Sequence, residues 1–188
     1  MKRLKVVAAS VMACVSLFSY TGCSSFKVID NEDVFFNALT DVAGIKKKET
    51  IHEKNYEVNG DDVEYFIYTG DGDNFYTYIR FEEDDDAMDY FDIFYQDFEE
   101  IKEDEEFDGS SSMSEGKTRG MVTFNGEVGK DNGLNFYHMN KHFFEDTEIY
   151  GGVYVNKNVY IEVYSADGSK RDKEKIDKFL KQLGFPKP

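Results

Sequence analysis

Acidic residues that could coordinate a cation are concentrated at two places in the sequence. Asp71 and Asp73 lie within a Gly-Asp-Gly-Asp turn, and an unbroken run of acidic residues extends from 82 to 86. Ca²⁺ takes roughly six to eight oxygen ligands, which clustered carboxylates and turn carbonyls can supply. The calcium candidates are therefore Asp71, Asp73, Asp84, Asp85 and Asp86. The alternative is that the acidic run caps a helix and complements the positive end of its dipole.

The histidines give a weaker indication of metal binding. His138 and His142 are four residues apart, and Glu145 follows them. That spacing aligns two ligands on a helix, but the aromatic residues around them favour a strand or a loop. We therefore interpret them as surface histidines. No Gly-x-Ser-x-Gly nucleophile motif occurs, so we expect neither an enzyme nor a cofactor.

Cys23 is the residue whose chemistry is easiest to interpret. It follows Tyr20-Thr21-Gly22, behind an apolar stretch at 6–19 and three cations at positions 2, 3 and 5. These are the parts of an export signal, and the apolar stretch is shorter than the roughly 20 residues that span a bilayer. The tetrapeptide ending at Cys23 resembles a lipobox. The resemblance implies that the thiol receives a diacylglyceryl group and that residues 1–22 are removed. Plain secretion without a lipid is the alternative.

With this signal and a length of 188 residues, the chain resembles the small single-domain lipoproteins of bacteria. The resemblance implies attachment to the cell membrane through the lipid at Cys23, with the domain on the extracytoplasmic face. It supplies no active-site residues. We accordingly predict a lipoprotein signal peptide at 1–22, a lipidated tether at 23–30 and a single domain at 31–188.

The charge balance excludes one class of partner. The chain has 22 basic and 38 acidic residues, a net charge of −16. Nucleic-acid binding requires patches of Lys and Arg that neutralise phosphates, so we expect none. Cationic peptides, divalent cations and basic protein surfaces are the complementary partners. The alternative is that the acids form a solvated surface that resists association.

Hydrophobic periodicity predicts an α+β domain. Helical spacing of apolar residues predicts helices at Asn31–Ala43, Asp84–Glu103 and Ser169–Leu183. The predicted strands are Ile45–Lys54, Val63–Thr69, Asn74–Phe81, Thr118–Asn125, Leu134–Asn140, Glu148–Asn156 and Asn158–Tyr164. The Gly-Ser-Ser-Ser stretch predicts a flexible loop at 104–117. The expected architecture has two layers, a largely antiparallel sheet with three amphipathic helices on one face. It is built from two halves, each a hairpin followed by a helix.

The aromatic content suggests a binding surface. The chain has 13 Tyr and 17 Phe, more than a core of this size usually encloses. An exposed sheet face carrying Tyr76, Tyr78, Tyr160 and Tyr164 could bind a partner. Ordinary cross-strand packing of the same rings is the alternative.

The sequence therefore predicts a membrane-anchored, non-catalytic module that binds a protein or peptide of the cell envelope. The prediction combines the lipobox-like Cys23, the aromatic excess and the missing nucleophile motif. A solute- or calcium-binding lipoprotein is the second hypothesis. A hydrolase that uses a pair of carboxylates is the third.

Overall fold

A computed structural model describes residues 26–58, 60–130, 134–136 and 142–188. Seven strands are Ile51–Val58 (β1), Asp61–Asp71 (β2), Asn74–Phe81 (β3), Phe107–Gly116 (β4), Arg119–Val128 (β5), Thr147–Asn156 (β8) and Val159–Ser165 (β9). They form one antiparallel sheet in the order β1-β2-β3-β9-β8-β5-β4. Leu134–Phe136 (β6) and His142–Phe144 (β7) pair separately. The predicted signal peptide and Cys23 lie outside the described residues.

The helices begin and end where the sequence predicts. The first comprises Glu32–Ala38 (α1) and a π-helical turn at Leu39–Ala43, and a short 3-10 turn follows at Lys47–Glu49. The long helix is Asp84–Glu103 (α2), with three aspartates in its first turn. The last is Lys170–Leu183 (α3). In α3, Ser169 caps the amino end and Gly184, at φ 76°, closes the carboxyl end. In the part of the chain that is described, no helix is long and apolar enough to cross a membrane.

The α+β class, the antiparallel sheet and the three helices are confirmed, but the sheet is covered on both faces. Phe66 and Ile79 belong to a core under α2, whereas Tyr65 and Ile67 belong to a second core under α1 and α3. Successive side chains of a strand point to opposite faces, so the continuous apolar run in β2 needs two covers. The domain therefore has three layers instead of the expected two.

The two hairpin-helix halves are present in chain order, as β2–β3 followed by α2 and β8–β9 followed by α3. Strands β3 and β9 lie next to each other at the centre of the sheet and run antiparallel. However, α2 and α3 pack on opposite faces. A two-fold axis between antiparallel neighbours would keep both helices on one face. The halves are thus similar in order but are not related by that symmetry.

The predicted tether is shorter than expected. Phe26 and Ile29 are buried in the core under α1 and α3. The ring of Phe26 lies 5.0 Å from that of Phe185, and the carbonyl of Phe26 accepts a hydrogen bond from the Asn156 side chain. The domain therefore includes residue 26, and the prediction that 26–30 belong to a tether is wrong.

The prediction of a flexible loop at 104–117 is also wrong, because most of it forms β4. This strand pairs with β5 along its whole length, from Phe107 opposite Val128 to Gly116 opposite Arg119. Backbone hydrogen bonds hold it there, and its glycines and serines contribute little side-chain burial.

Candidate functional site

Strand β4 has an open backbone edge. A two-residue turn, Lys117 and Thr118, connects it to β5. The pair that flanks such a turn is hydrogen-bonded, and hydrogen-bonded pairs then alternate with unbonded ones. The unbonded residues of β4 point their N–H and C=O groups away from β5, and they are Phe107, Gly109, Ser111, Met113 and Glu115. Within the described ranges, no strand lies beyond β4.

The spacing of a glycine pair agrees with this assignment. A Cβ atom added to Gly109 would lie 2.4 Å from the carbonyl oxygen of Asn125 and 2.5 Å from the Cα atom of Gly126. Such a close approach is typical of unbonded antiparallel pairs, whose Cα atoms are nearer than those of bonded pairs. The two glycines allow β4 to pair with β5 without a bulge, which leaves ten residues in regular register.

Carboxylates flank this edge. Burial raises the pKa of Tyr95 on α2, and the negative charges of Glu99, Glu115 and Asp92 raise that pKa further. These acids are therefore close enough to act on one phenol beside β4. Asp108 and Glu115 on the strand itself are exposed. The open edge thus lies beside several carboxylates, with Lys102 of α2 as a neighbouring cation, its Nζ 3.9 Å from the Met113 sulfur.

The four candidate tyrosines do not form a surface. Tyr76, Tyr78, Tyr160 and Tyr164 are all fully buried, two on each face of the sheet. The hydroxyl of Tyr78 donates to the carbonyl of Ile29 at 2.9 Å. Burial raises the pKa of each of these phenols. The prediction that they bind a partner is wrong, because helices cover both faces and cross-strand packing uses the rings.

A buried carboxylate, which the sequence analysis did not single out, lies among these rings. Glu162 on β9 is fully enclosed and accepts a hydrogen bond from the Tyr160 hydroxyl at 2.6 Å. Besides burial, its charge raises the pKa of Tyr90, Tyr160 and Tyr164. Because these groups are enclosed between the sheet and α2, we assign them to packing specificity and not to ligand binding.

The calcium candidates are divided between the two ends of the β2–β3 hairpin. Asp71 pairs with Asn74 at its turn, whereas Val63 pairs with Phe81 at the end that leads into α2. The intervening eight-residue strand β3 separates the groups by about 25 Å. Asp71, Asp73, Asp84, Asp85 and Asp86 therefore cannot form one site. Among the described residues, no three His, Cys, Asp or Glu side chains are grouped to hold a metal ion.

The acids at the β2–β3 turn have structural partners. The Asp71 carboxylate accepts a hydrogen bond from Lys175 of α3, and the Asp73 carbonyl accepts one from the N–H of Ala166 at 2.8 Å. Asn74 donates to Asp172 at 2.7 Å. These contacts fasten the turn to the amino end of α3.

The acids at the start of α2 repel one another. Burial and the charges of Asp61, Asp89, Asp85 and Asp62 raise the pKa of Asp86. Asp84, Asp85 and Asp86 occupy the first helical turn, as helix-dipole complementation predicts.

The histidine pair is only partly described. His138 lies outside the described residues, and His142 begins β7.

A shallow depression of about 230 Å³ on α3 is lined by charged residues, Glu174, Asp177, Lys178, Lys181 and Lys187. Two of them, Lys187 and Asp177, are ion-paired at 2.6 Å. Organic ligands favour apolar, enclosing pockets, so this depression is a poor solute site.

Comparisons with known proteins give no assignment: no family model, no curated protein and no solved structure matches the chain.

Proposed function

We propose that the chain is a membrane-anchored, extracytoplasmic lipoprotein whose domain binds an extended segment of an envelope protein or peptide without catalysis. The observation that supports binding is the open edge of β4, where alternate backbone groups point away from β5. An extended segment can add to such an edge as a further strand, with main-chain hydrogen bonds supplying the affinity. Support for the anchor comes from the lipobox-like sequence that ends at Cys23.

The composition of β4 favours strand addition. Natural sheets protect their edges with lysine, proline, bulges or very short strands. Strand β4 has ten residues, contains no proline and no basic residue, and pairs in unbroken register. Serines at 110–112 are small enough to let a second backbone approach.

The expected partner segment is basic. The acids near Tyr95 and the net charge of −16 would attract cationic side chains and repel acidic ones. A segment that alternates small and basic residues would place its cations on one face of the extended sheet, beside Glu115.

Amide hydrogen exchange of the full chain tests strand addition. The probe is a synthetic peptide that alternates threonine and lysine. Binding at β4 should slow exchange at Gly109, Ser111, Met113 and Glu115, whose amides are open before the peptide is added. Peptide binding that leaves those four amides unprotected would contradict the proposal.

A proline variant of β4 tests the outward N–H groups directly. Ser111→Pro removes an N–H that points outward, so it should abolish peptide protection while the fold is retained. In cells, the parent chain with a photo-crosslinking residue at position 110 should capture an envelope protein, and the same chain with Ser111→Pro should not.

The anchor is tested separately by lipid labelling, which Cys23→Ala should eliminate. If the parent chain and Cys23→Ala are both labelled, or if neither is, Cys23 is not the acylated residue.

A further inference from the structure

The point at which the chain enters the domain is fixed. Phe26 packs against Tyr154 and Phe185, with ring centroids 5.7 Å and 5.0 Å away. Two residues, Ser24 and Ser25, lie between Cys23 and Phe26, and each of the three steps covers at most about 3.6 Å in an extended chain. The chain can therefore place the backbone of Cys23 at most about 11 Å from the backbone of Phe26.

Four cations surround that point, and we name them the basic rim: Lys27, Lys117, Arg119 and Lys157. Lys27 follows Phe26 directly, and the Arg119 guanidinium lies 5.7 Å from the centre of the Phe26 ring. The N–H of Lys157 donates to the carbonyl of Thr118 at 2.7 Å, which joins the β8–β9 turn to the β4–β5 turn. The three lysines are exposed.

The basic rim has no acidic partners in the described residues. None of the ion pairs in the described parts of the chain involves its lysines or its arginine, and the Arg119 Nε–H has no acceptor there. The acids at 61–62 and 84–86 lie at the same end of the sheet. Asp61 and Asp62 are four strand positions from β5, about 19 Å at the usual strand spacing, and the acidic run that follows β3 begins three positions from β5, at about 14 Å. Both distances exceed the Debye length in physiological salt, but Lys157 lies nearer to the acidic run, because the Phe81 N–H donates to the carbonyl of Asn158. The β4–β5 turn is thus the part of the basic rim furthest from those acids, and Glu115 is the acid nearest to it along β4.

We propose that the basic rim contacts anionic phospholipid headgroups and holds the domain with its β4–β5 and β8–β9 turns toward the membrane. This inference rests on the proposed acylation of Cys23. The short link keeps the rim at the depth of the headgroups, where each cation attracts an anionic surface. The strands then rise away from the membrane, so the open edge of β4 faces sideways and remains accessible to a partner.

Fluorescence quenching on vesicles tests this orientation. The full lipidated chain is reconstituted into phosphatidylcholine vesicles with and without phosphatidylglycerol, each containing a lipid with a nitroxide on its headgroup. One introduced cysteine carries the fluorophore, because the only cysteines are Cys14, in the predicted signal, and Cys23. Thr118→Cys reports the turn beside the rim. Asp73→Cys reports the opposite end of the sheet.

In vesicles with phosphatidylglycerol, the label at Thr118 should be strongly quenched and the label at Asp73 hardly at all. Reversing two charges, by Lys27→Glu with Lys117→Glu, should shift the ratio of docked to undocked domains by roughly tenfold or more. Lys48→Glu is the matched control, because this exposed lysine lies next to Glu49, whose carbonyl contacts Thr69 near the far end of β2. The melting temperature of each variant checks that the fold is retained.

Three outcomes are separable. Stronger quenching at Thr118 in anionic vesicles, lost in the double variant and kept in Lys48→Glu, supports the proposal. Equal quenching at Thr118 and Asp73, or quenching that the double variant leaves unchanged, overturns the basic rim but leaves the anchor intact. A chain that takes up no lipid overturns the proposed anchor, and the orientation with it.

Discussion

Strands β1 and β4 hold equivalent positions at the two edges of the sheet, yet they differ in backbone and in chemistry. In β1, Asn55 has a φ of 51°, and its pairing with β2 is interrupted there. The exposed side chains of β1 include His52, Glu53, Lys54 and Glu57. In β4 the register is unbroken over ten residues, and six of these residues are glycine or serine.

The difference shows how one edge can be closed to association and the other left open. A left-handed residue disturbs the geometry of an edge strand. Charged side chains of both signs make it energetically unfavourable for a strand of another molecule to pair there. Strand β1 has a left-handed residue and charges of both signs, whereas β4 has neither a left-handed residue nor a lysine. A single domain can in this way direct a partner to one side.

The largest expected loss of stability comes from removing an N–H of β4 that bonds to β5, compared with one that points away from it. Ser112→Pro removes an N–H that bonds to β5, so we expect the free energy of unfolding to fall by about 3 kcal/mol. Ser111→Pro removes an outward N–H and should cost clearly less. Urea denaturation followed by circular dichroism measures both. Equal losses would show that the alternation of bonded pairs is assigned incorrectly.

The regularity of β4 depends on its close glycine pair. Gly109→Ala places a Cβ atom 2.4 Å from the Asn125 carbonyl oxygen, so the backbones must separate. We expect a loss of about 1–3 kcal/mol, measured by urea denaturation. Gly116→Ala is the control, because its nearest neighbour, the Arg119 carbonyl oxygen, would be 3.4 Å away. A variant Gly109→Ala as stable as this control would contradict the explanation.

The left-handed conformation of Asn55 in β1 can be tested by substitution. A β-branched residue tolerates a positive φ poorly, so Asn55→Val should lower the free energy of unfolding by about 1–2 kcal/mol. Asn55→Gly should be nearly neutral, because glycine adopts this conformation readily. If the left-handed residue protects this edge, Asn55→Val should also allow β1 to bind the alternating threonine-lysine peptide. A stable Asn55→Val protein with no new binding would show that the charges alone protect β1.

A smaller loss of stability is expected at the start of α3, which is remote from both edge strands and serves as a reference. Ser169 accepts a hydrogen bond from the Asp172 N–H at the start of α3, so Ser169→Ala should cost about 1 kcal/mol. Hydrogen bonds from Ser169 and Asn74 also hold the pKa of Asp172 below its usual value. A lowered folded pKa stabilises the protein above the unfolded pKa, and this contribution is lost as the pH falls through the folded value.

The cost of Ser169→Ala should therefore be largest above about pH 4 and should shrink in more acidic solution. Peptide protection at β4 should not change in this variant. Thermal unfolding between neutral and acidic pH measures the first expectation, and amide exchange measures the second. A cost that grows in acid would contradict the assigned direction of the Asp172 pKa.

Side-chain periodicity explains which elements were predictable. The stripe of Phe91, Phe94 and Phe98 predicts α2 because one face of a helix has to be buried. The Gly-Asp-Gly-Asp turn likewise predicts the β2–β3 hairpin. Strand β4 carries no such pattern, since backbone pairing places it and its serines fit a loop equally well. In the sequence, the position of this segment directly before the predicted strand at 118–125 is what allows it to be a hairpin partner.

The candidate tyrosines illustrate a different limit. Alternation along β3 places Tyr76 and Tyr78 on one face, but the sequence does not reveal which helix covers that face. The same limit concealed Glu162, because an acid in a strand ordinarily marks the solvent side. For the tether, two buried residues among 26–30 are too few to form a periodic pattern.

The pairing of β3 with β9 constrains when the protein can fold. Asn74 lies opposite Ser165 and Arg80 opposite Val159, so contacts that are far apart in sequence close the middle of the sheet. Such contacts slow folding, since the chain entropy of a long loop is lost before they form. Phe26 also packs on Phe185, near the last residue of the chain. Neither core can therefore be completed before β8, β9 and α3 are available, and β3 keeps an unpaired edge until β9 pairs with it. The amino-terminal half of the domain thus depends on the carboxyl-terminal hairpin for its own folding.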